Sequence, residues 1–210
     1  METETRRERH RRILVEEIVD EARSLLEEGG PSSVSLRAIG RAVGMSAPSL
    51  YTYFPSLNDV FTELIVRSYD ALAGHVAANL AERSDAPLRD RLLVGPMAYR
   101  SWALSNRQQF NLVFFDQISG YEAPADGPTV EAQTSVLRPI AADYAEACGQ
   151  SLDALVEPGE LLEDFLGWWG TFHGLVVLEV NHHLDWVDAG AVFERRLRRE
   201  IDLLTGATRS

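Results

Sequence analysis

Apolar residues recur along the chain with the period of an α-helix. In residues 11–28, Leu14, Ile18 and Leu25 fall on one face of such a helix. Two short helices capped by Ser35 and Ser46 follow, and then a long helix from Ser56 to about Arg83. The later apolar periods predict helices at 88–104, 106–118, 130–148, 159–182 and 188–204. With no useful strand alternation, the pattern predicts an all-α fold of about nine helices.

Glycine and proline mark where these helices end. "GGP" at 29–31, Gly44 and "FPSLND" at 54–59 each interrupt the helical period. "SGYEAPADGPT" at 119–129 combines Gly, Pro and Asp and predicts the main loop. The simplest organisation is a three-helix head over residues 1–56 and a larger helical body over residues 57–210.

The two short helices around Gly44 have the order of a helix-turn-helix. Gly44 gives the turn its conformational freedom, while Leu50 and Phe54, four apart, anchor the second helix inward. Small or polar groups such as Ser49 and Thr52 then face outward, as a helix lying in a major groove requires. The alternative is a plain helical hairpin in which the aromatic residues belong to the core.

The run 29–65, with Gly30, Ser35, "AIGRAVGMS" and "LYTYF", resembles the N-terminal domain of the TetR family of bacterial transcriptional regulators. The resemblance extends from residue 11 to about residue 65. It implies that the DNA-contacting positions are Ser35, Arg37, Ser46, Pro48, Ser49, Tyr51, Thr52 and Tyr53.

One position departs from the family pattern. The family usually has a phosphate-contacting lysine three residues after the phenylalanine, and Leu57 stands there in this chain. A missing phosphate contact should lower salt-dependent affinity without changing base preference. The arm "RRERHRR" at 6–12, formally +4, could compensate, or it could be a frayed terminus.

Charge is distributed unevenly between the predicted head and body. Residues 1–56 contain eight Arg and nine acidic residues, whereas residues 57–210 contain twelve Arg and 23 acidic residues. Because residues 1–56 are nearly neutral, nucleic acid remains possible as a partner although the net charge of the whole chain is −12. Cys148 is the single cysteine, so we expect a cytoplasmic protein without disulfides, and no stretch is apolar enough to span a membrane.

Aromatic residues cluster in the predicted body. One interpretation is that these residues form only the hydrophobic core. The other is that they line an apolar ligand cavity with a few polar groups. Trp169 and His173-Gly174 resemble the Trp-His-Gly motif of some TetR regulatory domains. The candidate ligand-binding residues are Tyr99, Trp102, Phe110, Phe114, Trp169 and His173.

The last two long helices, at 159–182 and 188–204, contain further apolar repeats, which we expect to form an exposed face. Packing within their own domain would explain these repeats, but in the family two such helices pair with their copies as a four-helix bundle. The resemblance therefore implies a homodimer, which suits a palindromic operator. The candidate interface residues are Leu161, Phe165, Trp168, Phe172, Leu197 and Ile201.

No enzymatic constellation stands out. His182, His183 and Asp185 lack the spacing of a helical metal-ligand face, so no metal is expected. The carboxylates of "EPGELLED" at 157–164 fit a helix start and have no accompanying nucleophile.

These observations predict a DNA-binding regulator rather than an enzyme. We expect a repressor that leaves a palindromic operator when a small apolar or aromatic molecule binds, with no cofactor and no membrane partner. Two alternatives remain: a helical ligand-binding protein or enzyme with a non-functional head, and a constitutive DNA-binding protein without a ligand.

Overall fold

The computed structural model describes residues 5–114, 118, 121–123 and 127–206. These residues form ten α-helices and no strand, which confirms the predicted all-α class and adds one helix to the nine that the apolar period predicts. The helices are α1 (Arg6–Gly29), α2 (Leu36–Ala42), α3 (Ala47–Leu50), α4 (Leu57–Ala81), α5 (Leu88–Ser105), α6 (Arg107–Phe114), α7 (Pro128–Ala147), α8 (Leu152–Val156), α9 (Glu160–Val180) and α10 (Ala189–Leu204).

The first helix begins earlier than its apolar period indicates. Thr5 Oγ1 accepts a hydrogen bond from the Glu8 backbone N–H, and Glu8 Oε2 accepts one from the Thr5 N–H. This capping box satisfies two donors at the helix start, which fixes the first turn. The arginine-rich arm is therefore helical, and the expectation of a frayed terminus over 6–12 is wrong within the described residues.

The chain divides into two compact units. The first contains Met1–Tyr69 and Gln108–Glu131, and the second contains Asp70–Arg107 and Ala132–Ser210. Helices α4 and α7 each contribute residues to both units. This division concerns packing, and the boundary after residue 56 stays a prediction about functional domains.

The first unit joins α6 to α1 and to the beginning of α4. The Tyr69 hydroxyl donates to the Val113 carbonyl at 3.1 Å, and the Gln109 side-chain amide donates to Glu27 at 3.1 Å. Of the predicted loop 119–129, residues 119, 120 and 124–126 lie outside the described residues. Residues 121–123 and 127 are non-helical, and α7 begins at Pro128.

The core of the second unit is rich in aromatic rings. Phe172 lies in edge contact with Tyr99 at 5.6 Å and with Trp168 at 5.2 Å between centroids. Two half-buried ion pairs join its helices: Arg100 with Glu179 at 2.5 Å, and Arg91 with Asp143 at 3.0 Å. This unit also contains α8, a five-residue helix that the sequence pattern did not predict.

Candidate nucleic-acid interface and ligand pocket

The turn between α2 and α3 has the backbone that the sequence predicts. Ser35 Oγ accepts from the Ala38 N–H at 3.1 Å and caps α2, and Gly44 has a φ of 68°. The Met45 N–H donates to the Gly40 carbonyl at 2.8 Å, which folds the turn back onto the helix. A Cβ on Gly40 would lie 3.0 Å from the Met45 carbonyl oxygen, so this glycine permits the close approach.

Helix α3 is short and anchored from one side. Leu50 is fully buried and Phe54 is 7% exposed, as the four-residue spacing predicts. The Ser46 and Ser49 hydroxyls lie 2.8 Å apart at the start of the helix, where Ser46 accepts from the Ser49 N–H at 3.4 Å. Anchoring by two apolar residues leaves the opposite face available for contacts with a partner.

Most predicted DNA-contacting residues are exposed. Tyr51 is 53% exposed, whereas Ser35 and Tyr53 are half-buried. The remaining exposed positions are Arg37, Ser46, Pro48, Ser49 and Thr52. Residues 29–58 contain no acidic side chain, so no carboxylate of this segment opposes a phosphate backbone.

Arg11 connects α1 to this surface and was not among the predicted contact residues. Its Nη1 donates to the Thr52 carbonyl at 3.3 Å, and its guanidinium carbon lies 5.3 Å from the centre of the Tyr53 ring. Arg11 reaches Thr52 and Tyr53 because the arginine run is helical and because α1 packs against this segment. The sequence showed the run but not this contact.

The beginning of α4 is attached to α1 by an ion-pair network. Ser56 accepts from the Asp59 N–H at 3.2 Å and caps α4, as predicted. Arg67 pairs with Glu16 at 2.5 Å and with Glu63 at 2.7 Å. The hydrogen bond from Arg67 lowers the pKa of Glu16, and the pairing raises the pKa of Arg67. The first turns of α4 are therefore held to the helix that supports the recognition segment.

The predicted ligand residues Tyr99 and His173 contact each other. The Tyr99 hydroxyl and His173 Nδ1 lie 2.8 Å apart, and Tyr99 is fully buried. Burial lowers the pKa of His173, which favours the neutral ring. His173 thus has a protein group as a hydrogen-bond partner. Trp169 lies beside it, with ring centres 5.0 Å apart.

The other predicted ligand residues are divided between the units. Phe110 and Phe114 belong to the first unit, where Phe114 lies 4.9 Å from Phe110 and 5.7 Å from Tyr69 between ring centres. Trp102 is 6% exposed in the second unit. Trp169 lines an apolar groove of about 280 Å³ in that unit.

The predicted exposed apolar face of the last two helices is corrected by the structure. Their apolar repeats pack against their own unit, so these side chains are not free for a second copy. Leu161 is half-buried, and five residues are buried: Phe165, Trp168, Phe172, Leu197 and Ile201. Leu166, Leu178 and Leu203 are instead exposed by 45%, 41% and 59%.

The histidines after α9 form a local contact. His182 has a φ of 63°, and its Nδ1 lies 3.1 Å from an oxygen of Asp185. Among the residues that the structure describes, no group of three or more His, Cys, Asp or Glu side chains is arranged to hold a metal ion. Over the same described part, no helix has the length and apolar character needed to cross a membrane.

Comparisons with known proteins agree with this architecture. The family described as "Bacterial regulatory proteins, tetR family" matches residues 18–64, and "Tetracyclin repressor-like, C-terminal domain" matches residues 96–202. A solved protein of proposed regulatory function, SCO4313, is 31% identical with a TM-score of 0.76, and the match covers 96% of this chain and 100% of that one.

Curated relatives come from mycobacteria. The HTH-type transcriptional regulator Rv1816 of Mycobacterium tuberculosis is 32% identical over 109 residues, which are 52% of this chain and 47% of that protein. The uncharacterized HTH-type transcriptional regulator Rv0681 of the same species is 28% identical over 181 residues, 85% of this chain and 75% of that protein. The match to Rv1816 spans about half of that relative's length. Together with the helix-turn-helix geometry and the family matches, these similarities show that the chain belongs to the TetR family of bacterial regulatory proteins.

Proposed function

We propose that the protein is a homodimeric, ligand-responsive transcriptional repressor that acts in the cytoplasm. The observation that carries this proposal is the anchored α2–turn–α3 segment. Leu50 and Phe54 hold α3 from inside, and polar side chains with no acidic neighbour in sequence are exposed outside. The proposed functional domains remain a DNA-binding head over 1–56 and a regulatory body over 57–210.

Within the head, we assign different contacts to different side chains. Ser35, Arg37, Ser46 and Tyr51 would contact phosphates, which fix the register on the duplex. The positions proposed for major-groove contacts are Pro48, Ser49, Thr52 and Tyr53.

The arginines of α1 compensate for Leu57 in this proposal. The run 6–12 is helical and formally +4, and Arg11 already contacts Thr52 and Tyr53. Arginine binds phosphate through charge-assisted, forked hydrogen bonds. Phosphate contacts from α1 would therefore supply the attraction that the missing lysine would otherwise give.

The dimer surface that we propose lies on the exposed sides of α9 and α10. Leu166 and Leu178 are exposed on α9, and a Cβ placed on Gly170 or Gly174 would meet nothing within 4 Å. Small residues between exposed leucines allow a second helix to approach closely. A two-fold dimer formed in this way would match a palindromic operator.

Ligand binding in the second unit would reach the head through α4, because that helix is continuous from Leu57 to Ala81. Arg67 and its two carboxylate partners would convey a change in α4 to α1. A coupling free energy of about 1–3 kcal/mol is typical for such linkage and would change operator affinity roughly 5- to 150-fold.

A gel-shift titration tests the proposal. The intergenic DNA flanking the gene is mixed with the full chain at about 50 mM and 200 mM salt, with unrelated DNA as competitor. We expect a saturable complex that weakens at high salt, because phosphate contacts release counterions. Absence of a complex at the lower salt would contradict the proposal.

Two variants separate DNA reading from folding. Tyr51→Ala combined with Thr52→Ala should abolish the specific complex while leaving thermal stability unchanged, because both residues are exposed. Arg83→Gln, at an exposed position after α4, is the matched control and should bind as the wild type does. If the double variant binds normally, the head is not the DNA reader.

A further inference from the structure

The groove bordered by α7, α8 and α9 has a buried, apolar floor. Leu155, Phe165 and Ala141 form the buried part of its lining, at 1%, 3% and 4% exposure. Leu162 and Trp169 are half-buried beside them. Its volume of about 280 Å³ lies just below the roughly 300–1,000 Å³ of sites for drug-sized ligands. The groove is therefore suited to a smaller molecule with an apolar body.

The polar part of the lining comes from a single helix. Gln133, Thr134 and Arg138 belong to exposed positions of α7, and Arg138 is the charged residue among those that line the groove. Arg138 forms no ion pair with any residue that the structure describes, although residues 57–210 have eleven more acidic residues than arginines. A guanidinium group without an ion-pair partner, next to an apolar floor, is suited to bind the anionic head group of a ligand.

Trp169 contributes its ring to the lining of the same groove. Its indole Nε1–H is buried and has no acceptor in the described part of the chain. Tyr99 and His173, in contrast, already hydrogen-bond to each other.

We propose that this groove binds a small amphipathic carboxylate. The apolar body would lie on Leu155, Phe165 and Ala141, and the carboxylate would pair with Arg138. The binding site is argued from the groove alone. Its role as the site of the repressor's effector rests on the proposed function.

Calorimetric titration of the full chain without DNA tests the site with three matched probes: octanoate, 1-octanol and octylamine. We expect octanoate to saturate one site per chain and to bind at least tenfold more tightly than 1-octanol, with octylamine weakest. Arg138→Gln should reduce octanoate affinity to that of 1-octanol, whereas Arg83→Gln should leave it unchanged. Equal binding of all three probes, or an unchanged octanoate affinity in Arg138→Gln, would overturn the proposal.

The apolar part is tested separately. Ala141→Leu places extra carbon atoms in the floor and should abolish octanoate binding while circular dichroism stays that of the wild type. If Ala141→Leu does not fold, Val156→Gln on the rim, where Val156 is 57% exposed, should weaken octanoate several-fold. Unchanged binding in the variant that folds would overturn the proposal.

Sedimentation and gel shifts distinguish the remaining outcomes. If octanoate binds only to separated chains and dissociates the dimer, the groove belongs to the interface between copies, and a ligand site in the dimer is refuted. If octanoate binds as expected but no DNA complex forms, the failure concerns the proposed function, because the titration contains no DNA. Weakening of the DNA complex by octanoate in the wild type, but not in Arg138→Gln, would support the regulatory role.

Discussion

Tyr51 and Tyr99 have the same side chain in opposite surroundings. Tyr51 follows α3 and is 53% exposed, whereas Tyr99 in α5 is fully buried against Phe172 and His173. The first tyrosine adds little to the core and is free to meet a partner, while the second is held by its neighbours. The contrast shows that the surroundings of an aromatic side chain, rather than its type, decide whether it can meet a partner or supports the fold.

Replacing each of the two tyrosines by alanine should give the largest difference in the free energy of unfolding. Tyr99→Ala removes a buried ring and should lower the free energy of unfolding by about 4 kcal/mol. Tyr51→Ala should change it by less than about 0.5 kcal/mol, because its ring is exposed. Urea unfolding measures both values. If Tyr99→Ala lowers the free energy of unfolding by less than about 1 kcal/mol, Tyr99 does not support the fold more than Tyr51 does.

A buried and an exposed ion pair extend the comparison between the two units, with an expected effect on stability of intermediate size. Arg100 and Glu179 retain only 17% and 15% of their side-chain exposure in the second unit, whereas Arg23 and Asp20 of α1 are 51% and 59% exposed. Arg100→Ala should cost about 2 kcal/mol, because it leaves Glu179 half-buried without its partner. Arg23→Ala should cost at most about 0.5 kcal/mol. Equal losses in denaturant unfolding would show that burial does not distinguish these pairs.

Ser35 tests whether a residue of the head can serve both folding and recognition. Ser35→Ala removes the cap of α2 and should cost about 1 kcal/mol. Ser35→Asp keeps a capping oxygen and should retain stability, but its charge should repel phosphate and weaken the DNA complex at least tenfold. Thermal unfolding and gel shifts measure the two effects. Normal DNA binding by Ser35→Asp would exclude a phosphate contact there.

The smallest effect concerns pH and His173. Burial lowers the pKa of His173 below its usual 6.5, so the folded state binds a proton less readily than the unfolded state. The stability from the neutral ring is therefore present above pH 6.5 and decreases as the pH falls below it. Between pH 7.5 and 5.5, the wild type should lose up to about 1 kcal/mol more than His173→Gln. Parallel losses in urea unfolding would assign the pH dependence to other groups.

Local signals predicted the head well. Ser35, Gly44, Ser46 and Ser56 cap helices or form turns as expected, because such roles depend on a few neighbouring residues. The early start of α1 had a sequence signal too. Thr5 and Glu8 have the spacing of a capping box, which predicts a helix that runs through the arginine run.

Long-range packing was less accessible from the sequence. The apolar repeat of α9 shows that one face is covered, but it does not show whether the covering surface comes from the same chain. The sequence therefore predicts a dimer surface at Phe165 and Phe172, although both side chains are buried within their own unit. Helix α8 has only five residues, too few for a periodic pattern to become apparent. The pairing of Tyr99 with His173 joins residues 74 positions apart, which no local pattern predicts.

The composition of the first unit has a consequence for engineers who exchange DNA specificity between regulators. Gln109 of α6 is buried and donates to Glu27 of α1, and Arg67 of α4 donates to Glu16 of α1. A graft cut after residue 56 would combine these partners from two parents that were never selected together. The transferable cassette is instead discontinuous, consisting of residues 5–69 together with the segment 108–131. Chimeric regulators built from both pieces should keep these hydrogen bonds, whereas a single cut would separate them.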